Sequence, residues 1–382
     1  MRDEKRDDGS TSHKHRTTLK HRASLKRSPS PTRASSGEFD LINRIKARAI
    51  KSLSTEKSFD SSHITRHTLL IKAIGDDAAV IRQNASRELV ITTDLLVEDV
   101  DFRRAWMMPR LLGHKALAVS LSDIAAMGAR ARYALLSVGL PREIWKTDFV
   151  DEFYEGFFAL AAEHGVALIG GDVSRTPEHI VIDSIVVGEV KAGGAVLRAG
   201  ARAGDHIFVT GSLGGAAAGL RLLEQGARLT NRKTRSRRAS AVEKLLARQL
   251  RPEPRMMWGA RLGEKRLATA MIDVSDGLSS DLAHLCEESR LGAQIDAARI
   301  PVDASLTQLR APDFDSLSLA LDGGEDFELL FTISPRNLKR LPAALDGVPV
   351  TYLGDMTGSL HGIKLISGDR STSLRPAGFS HF

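Results

Sequence analysis

The sequence predicts an α/β (α+β) chain of two domains behind a basic segment that does not fold, and three observations lead there. Short apolar runs alternate with helical patterns over most of the length, which is the signature of a mixed α/β architecture. The 382 residues exceed the roughly 150 of one ordinary domain. A Gly- and Ala-rich passage over residues 191–204 separates two such series of elements.

Residues 1–36 hold ten Lys/Arg, four Asp/Glu and almost nothing apolar. Such a segment cannot bury enough surface to offset chain entropy and is expected to be disordered. Organised sequence begins at Gly37-Glu38-Phe39, where Leu41, Ile42, Ile45, Ala49 and Ile50 keep a helical rhythm. A Ser-rich stretch over 52–66 then reads as a loop. Strands are expected at 69–74, 89–92, 134–140, 166–169 and 180–190, with helices at 111–127 and 149–164. This series makes a first domain of residues 37–192.

The second domain, 193–382, opens with a strand at 206–210 and a helix at 214–225. The basic stretch 228–241, a helix at 241–249 and a break at Arg251-Pro252-Glu253-Pro254 follow. A strand at 269–274, a helix at 278–288, a strand at 327–333 and a mixed tail complete it.

Composition removes several function classes. No apolar run approaches the roughly 20 residues of a membrane span, and no apolar secretory stretch opens the sequence, so a cytoplasmic location is expected. The single cysteine, Cys286, excludes an intrachain disulfide; it follows Leu278, Leu282 and Leu285 at helical spacing and reads as a buried core thiol. The net charge of +7 raises the question of nucleic acid, but +6 of it lies in residues 1–36. Six further basic residues and no acids lie in 228–241, which leaves the remainder at −5. A mildly acidic body with no nucleic-acid motif is a poor electrostatic footprint for a duplex or strand, so any such binding is assigned to the basic tail, residues 1–36.

The most informative pattern is an apolar run, then small residues, then aspartate. It occurs at Ala73-Ile74-Gly75-Asp76-Asp77, Val90-Ile91-Thr92-Thr93-Asp94, Leu168-Ile169-Gly170-Gly171-Asp172 and Ile272-Asp273-Val274-Ser275-Asp276. Asp123 adds a fifth acid on an otherwise apolar helix. One aspartate after a strand is commonly a turn residue or a helix cap. Several converging on one end of a fold would repel one another unless cations neutralised them. Magnesium prefers oxygen ligands and bridges carboxylates to phosphates, and the neighbouring glycines allow backbone N–H groups to approach phosphate oxygens. Neither the G-x-x-x-x-G-K-[ST] loop nor the protein-kinase H-R-D signature is present, so a phosphate-handling enzyme here must rely on metal and carboxylate.

On Gly75-Asp76-Asp77, Thr92-Thr93-Asp94, the Lys115 to Gly128 helix, Ile169-Gly170-Gly171-Asp172, Asp273-Val274-Ser275-Asp276-Gly277 and Gly323-Gly324-Glu325-Asp326-Phe327-Glu328-Leu329, the chain resembles the thiamine-monophosphate kinase family. That family lies within the aminoimidazole-ribonucleotide synthetase-like enzymes that use ATP. The resemblance implies two domains, with the first pairing with its copy in a homodimer and nucleotide in the cleft between halves. It implies magnesium held by Asp77, Thr92, Thr93, Asp94, Asp123, Asp172, Asp273 and Asp276, with Asp94, Asp123 and Asp276 central to catalysis. ATP contacts fall on Gly171, Asp172, Arg198 and Ser275, and thiamine monophosphate contacts on Asp101, Glu325 and Phe379. Asp101 stands where the family more often has histidine. Among sister enzymes, selenophosphate synthesis wants a reactive Cys or selenocysteine near the N-terminus and the hydrogenase-maturation factor a C-terminal cysteine; neither is found here.

Overall fold

A computed structural model describes residues 69–229, 237–309, 314–358 and 362–379 of the protein. The expected disorder over 1–36, the helix from Leu41, the loop at 52–66 and the centre of the basic stretch lie outside the described residues.

The first unit runs β1 (Leu70–Lys72), β2 (Ala79–Arg82), β3 (Arg87–Val97), α1 (Pro109–Ala126), β4 (Arg130–Leu140), α2 (Phe149–His164), β5 (Ala167–Arg175) and β6 (Val181–Lys191). Its strands form a six-stranded sheet in the order β1-β2-β3-β6-β4-β5, parallel only where β4 meets β5. Strand alternation gives the sheet two unlike faces. Val90, Thr92 and Leu96 of β3 and Ile182, Ser184 and Val186 of β6 are buried, whereas Thr93 and Leu95 are exposed. The buried face carries α1.

Helix α1 is apolar on nearly every side because it is enclosed on nearly every side. It packs on β3, β6 and α2 within its own unit and on elements of the second. Close approach to α2 depends on two glycines: a Cβ on Gly113 would lie 1.8 Å from the Phe153 carbonyl oxygen, and one on Gly156 would lie 1.8 Å from that of Arg110.

The second unit comprises β7 (His206–Thr210), α3 (Gly215–Glu224), α4 (Arg237–Leu250), α5 (Met256–Glu264), β8 (Ala268–Asp273), α6 (Leu278–Ser289), β9 (Gly292–Asp296), α7 (Ala304–Leu309), α8 (Ser316–Asp322), β10 (Leu329–Ile333), β11 (Ala344–Leu345), β12 (Val348–Thr357), β13 (Ile363–Ser367) and β14 (Arg370–Leu374). The sheet order is β14-β13-β9-β12-β7-β10-β8, with β11 paired to β12. All five residues of β10 are buried, as expected of a central strand covered on both faces. Among the described residues no helix is long and apolar enough to cross a membrane.

Two expectations are corrected. Asp94 and Asp172 do not follow their strands; they lie inside β3 and β5, whose ladders to β6 and β4 continue through them. Polar residues after an apolar run suggest a strand's end, but a paired strand keeps its hydrogen bonds whatever side chains it carries. The helix α5 begins immediately after the Pro-Glu-Pro break, and β2 and β9 are further elements the apolar pattern did not show. Cys286 is buried as expected, and burial pushes its thiol up to about 12.

Candidate active site

The acids of the first and second units meet where α1 crosses the end of β8. Asp77, Asp123 and Asp273 each present a carboxylate oxygen, all within 4.8 Å of one another. The Thr92 hydroxyl donates to Asp123 Oδ2, and the Ser122 hydroxyl donates to Asp273 Oδ2 at 2.6 Å. Asp94 lies on the same face of β3 as Thr92, and its Oδ2 is buried with no hydrogen-bond partner among the described residues. Asp77 Oδ2 is in the same condition.

Burial and crowding raise the proton affinity of Asp94, Asp123 and Asp273. Burial pushes Asp94 up to about 6, against a hydrogen bond from Ser120 and with the charges of Asp183 and Asp77 adding to it. Burial pushes Asp273 up to about 8, with Asp77 adding to it. Asp123 is held well above the usual carboxylate range by burial and by Asp94, Asp273 and Asp77.

Arg198, from the passage between units, brings a positive charge against the cluster. Its Nε lies 3.0 Å from Asp77 Oδ1 and its Nη2 also donates there, while its backbone N–H donates to Asp76 at 3.1 Å. Asp76 is paired with Lys72 at 3.0 Å, so it belongs to the support of Arg198.

A cavity of about 380 Å³ opens beside this cluster, lined by Asp94, Lys115, Ser275, Asp276, Glu325 and Phe379. The turn after β8 holds its far wall. Asp281 on α6 accepts from the backbone N–H groups of Asp276 and Gly277 at 3.2 and 3.0 Å. The Glu325 N–H donates to the Ser275 carbonyl at 2.7 Å and the Phe379 N–H to the Asp276 carbonyl at 3.1 Å. Two of the three residues expected at the substrate, Glu325 and Phe379, therefore hang from the turn that carries Ser275 and Asp276. Asp101 lines the cavity too, with its Oδ2 accepting from the Val97 N–H at 2.7 Å.

Thr93 and Asp172 stand apart. Thr93 points to the open face of the sheet, where its hydroxyl donates to Asp183 Oδ1 at 2.6 Å. Asp172 is exposed on the edge strand β5, in register with Ser137 and, through it, with Asp183 and Leu95. From β3 to β5 is three strand spacings, about 14 Å along the sheet. Before Asp172, Gly171 has φ 153° and a Cβ there would lie 1.9 Å from the Leu136 carbonyl oxygen. Only glycine fits. Beyond Asp172, Val173 borders an apolar pocket with Trp145, Phe149 and Tyr154.

Residues 75–190 match the family described as AIR synthase related protein, N-terminal domain, and residues 202–363 match its C-terminal domain. The thiamine-monophosphate kinase of Escherichia coli (strain K12) is 38% identical over 350 residues, spanning 91% of this chain and 98% of that protein. That of Bacillus subtilis (strain 168) is 35% identical over 351 residues, spanning 90% and 99%. Among solved structures, AaThiL complexed with AMPPCP and TMP superposes with a TM-score of 0.74 at 31% identity, covering 91% of this chain and 97% of that one. The chain belongs to the thiamine-monophosphate kinase family.

Within this kinase fold the motif Gly323-Gly324-Glu325-Asp326-Phe327-Glu328-Leu329 divides its acids between tasks. Glu325 faces the cavity. Asp326 accepts from the N–H groups of Gly214 and Ala216 and so anchors the start of α3, at 2.5 and 3.1 Å. Glu328 is fully buried, gripped by Arg255 through two contacts of 2.6 Å, by Arg248 at 3.2 Å and by the Thr210 hydroxyl at 2.7 Å. Sequence reasoning missed three further residues: Lys115 and Gln249, which line the cavity, and Asp183, which accepts from the Thr93 hydroxyl. Each sits in a helix or strand pattern where a polar residue reads as a solvated face; only the packing shows that Lys115 is 0% and Gln249 5% exposed.

Proposed function

We propose that this protein transfers the γ-phosphoryl group of ATP to the phosphate of thiamine monophosphate, giving thiamine diphosphate and ADP. One observation carries the reading: a cluster of buried carboxylates, two with an unpartnered oxygen, lies beside a cavity whose other wall is Glu325 and Phe379. The first half of that arrangement suits two phosphates and the second a cationic, aromatic ligand.

The donor set fits magnesium. Hard carboxylate and hydroxyl oxygens are its preferred ligands, and the Oδ2 atoms of Asp77 and Asp94 have no hydrogen-bond partner among the described residues. Asp77, Thr92, Thr93, Asp94, Asp123, Asp172, Asp273 and Asp276 would hold the ions. When bound, magnesium neutralises the repulsion between the two anionic reactants. Arg198, Ser275 and the Gly171 backbone hold the nucleotide phosphates. Glu325 sets a negative charge against the thiamine cation, Phe379 offers a ring face, and Asp101 lines the entrance. No general base is required, because a phosphate oxygen is already a competent nucleophile. Transfer is direct, with the carboxylates and Arg198 positioning the groups in line.

Asp172 enters this scheme through a second copy of the chain. It lies about three strand spacings, roughly 14 Å, from Thr93 in its own chain, on the edge strand of a sheet whose open face exposes Leu95 and Tyr133. Pairing two such faces in a homodimer covers the apolar residues and brings Asp172 of one protomer toward Thr93 of the other, on the strand that carries Asp94 on its opposite face. The apolar pocket of Trp145, Phe149, Tyr154 and Val173 next to Asp172 then takes the adenine ring.

The experiment is direct. Purified protein is given ATP, magnesium and a panel of phosphorylated vitamins and nucleotides, and products are identified by mass. Thiamine diphosphate and ADP, without stoichiometric inorganic phosphate, are expected. Turnover of a formylglycinamidine-type or selenide substrate instead would place the chain among the sister enzymes.

A further inference from the structure

We infer that Gln249 is a specificity-determining residue of the acceptor site, its amide oxygen receiving an N–H from the amino group of the substrate's pyrimidine ring. The inference rests on the thiamine monophosphate reading and names which of its groups is read.

Gln249 lies in the last turn of α4 and is buried. Its amide can be oriented in one way only. The neighbour is Glu325 Oε2, a carboxylate oxygen that can only accept, so the Gln249 Nε2 donates to it. The amide oxygen is thereby turned away from Glu325, buried and with no hydrogen-bond partner among the described residues. A buried carbonyl without a donor is costly and uncommon in folded proteins. Because Gln249 lines the same cavity as Glu325 and Phe379, a ligand is the donor to be expected there.

The surroundings fix the pair rather than leaving it to adapt. Lys115, wholly buried on α1 of the first unit, places its Nζ 2.6 Å from Glu325 Oε1. Glu325 therefore has both oxygens engaged, one from each unit. Its backbone has φ 66°, in the left-handed region that non-glycine residues seldom adopt. A flat aminopyrimidine matches this wall: its amino N–H meets the Gln249 oxygen and its face lies against Phe379, while the positive charge, which thiamine carries on its other ring, is drawn to the side of Glu325. Lys115 and Glu325 act here as the positioning frame.

The test compares thiamine monophosphate with its 4-oxo counterpart, which carries a carbonyl where the amino donor stood. Wild-type kcat/KM should favour the amino substrate by about 10- to 100-fold. Gln249→Met keeps length and burial but removes the acceptor; it should bring the ratio near one, mainly by raising KM for the amino substrate, with KM for ATP unchanged. Equal losses on both substrates would mean that Gln249 merely packs, and would overturn the inference. So would a wild-type ratio near one, which needs no variant to fold. Absence of turnover with either substrate in the wild type would overturn the parent reading as well, whereas a flat preference overturns this one alone.

Discussion

Arg198 grips Asp77 by one oxygen only: its Nε lies 3.0 Å from Oδ1, while Oδ2 stays buried and, among the described residues, unpartnered. Burial works against the guanidinium charge, yet Asp77 and Asp76 outweigh it and hold Arg198 above its ordinary value. One guanidinium cannot balance Asp77, Asp123, Asp273 and Asp94 together. The site is therefore built with a deficit of positive charge, which is the condition under which divalent cations and a nucleotide bind together.

Replacing that guanidinium is the first prediction. Arg198→Ala should lower kcat/KM for ATP by about 100-fold or more, as expected when a charged phosphate contact is lost. The metal-free variant should lose about 2–3 kcal/mol in urea melts, below the value for a wholly enclosed pair because Arg198 is partly solvated. Magnesium should restore part of that loss. A variant with normal ATP kinetics would remove Arg198 from the nucleotide site.

Metal-free stability should fall as pH rises, while the stabilisation that magnesium adds should grow. The folded values of Asp94, about 6, and Asp273, about 8, lie above the ordinary carboxylate value near 4. Such groups bind protons more tightly folded than unfolded, so their contribution is complete below about pH 4 and is lost as pH rises through 6 to 8. Metal-free protein should thus melt at progressively lower temperature between about pH 5 and pH 8.5. Magnesium competes with those protons, so the increase in Tm that it produces should grow over the same interval. A magnesium increment independent of pH would separate the metal from these carboxylates.

Removing single charges tests the cluster from within. Asp94→Asn, Asp123→Asn and Asp276→Asn should each reduce turnover by orders of magnitude while far-UV circular dichroism stays unchanged. The carboxamide keeps the shape and relieves repulsion, so the metal-free Tm of Asp123→Asn should rise or hold. A capping role would instead cost about 1 kcal/mol. Normal activity in all three variants would reject the metal-cluster reading.

The order of elements and the recurrence of aspartate were legible because apolar periodicity and Gly-Asp spacing are local properties. Asp77, Asp123 and Asp273 do converge, although 150 residues separate Asp123 from Asp273. What the sequence could not show was burial imposed from outside an element. Lys115 reads as a helix surface residue until α1 is seen to be enclosed by two units. Gln249 precedes the Pro-rich break and reads as a frayed end, yet it closes on Glu325, 76 residues away. Asp183 follows ordinary strand alternation, and only the register of β3 against β6 sets it beside Thr93.

Contribution of Asp172 across a dimer makes the sharpest prediction, because it concerns a mixture and not a single variant. Asp172→Asn and Asp94→Asn should each be nearly inactive alone, since every site in either homodimer lacks one carboxylate. If Asp172 served its own chain, mixing the two proteins would still yield only defective sites. If it serves the partner, a mixed dimer holds one site with both residues altered and one with both intact. Random reassortment makes half of the dimers mixed, and half of their sites are intact, so activity should recover to roughly a quarter of wild type. Recovery should follow the kinetics of subunit exchange, measured by mixing the variants at equal concentration and sampling over time, and should be absent when exchange is blocked by crosslinking before mixing. A mixture that stays inactive after exchange has been demonstrated independently would place Asp172 outside the partner's site and would leave the exposed edge strand without a part in the chemistry.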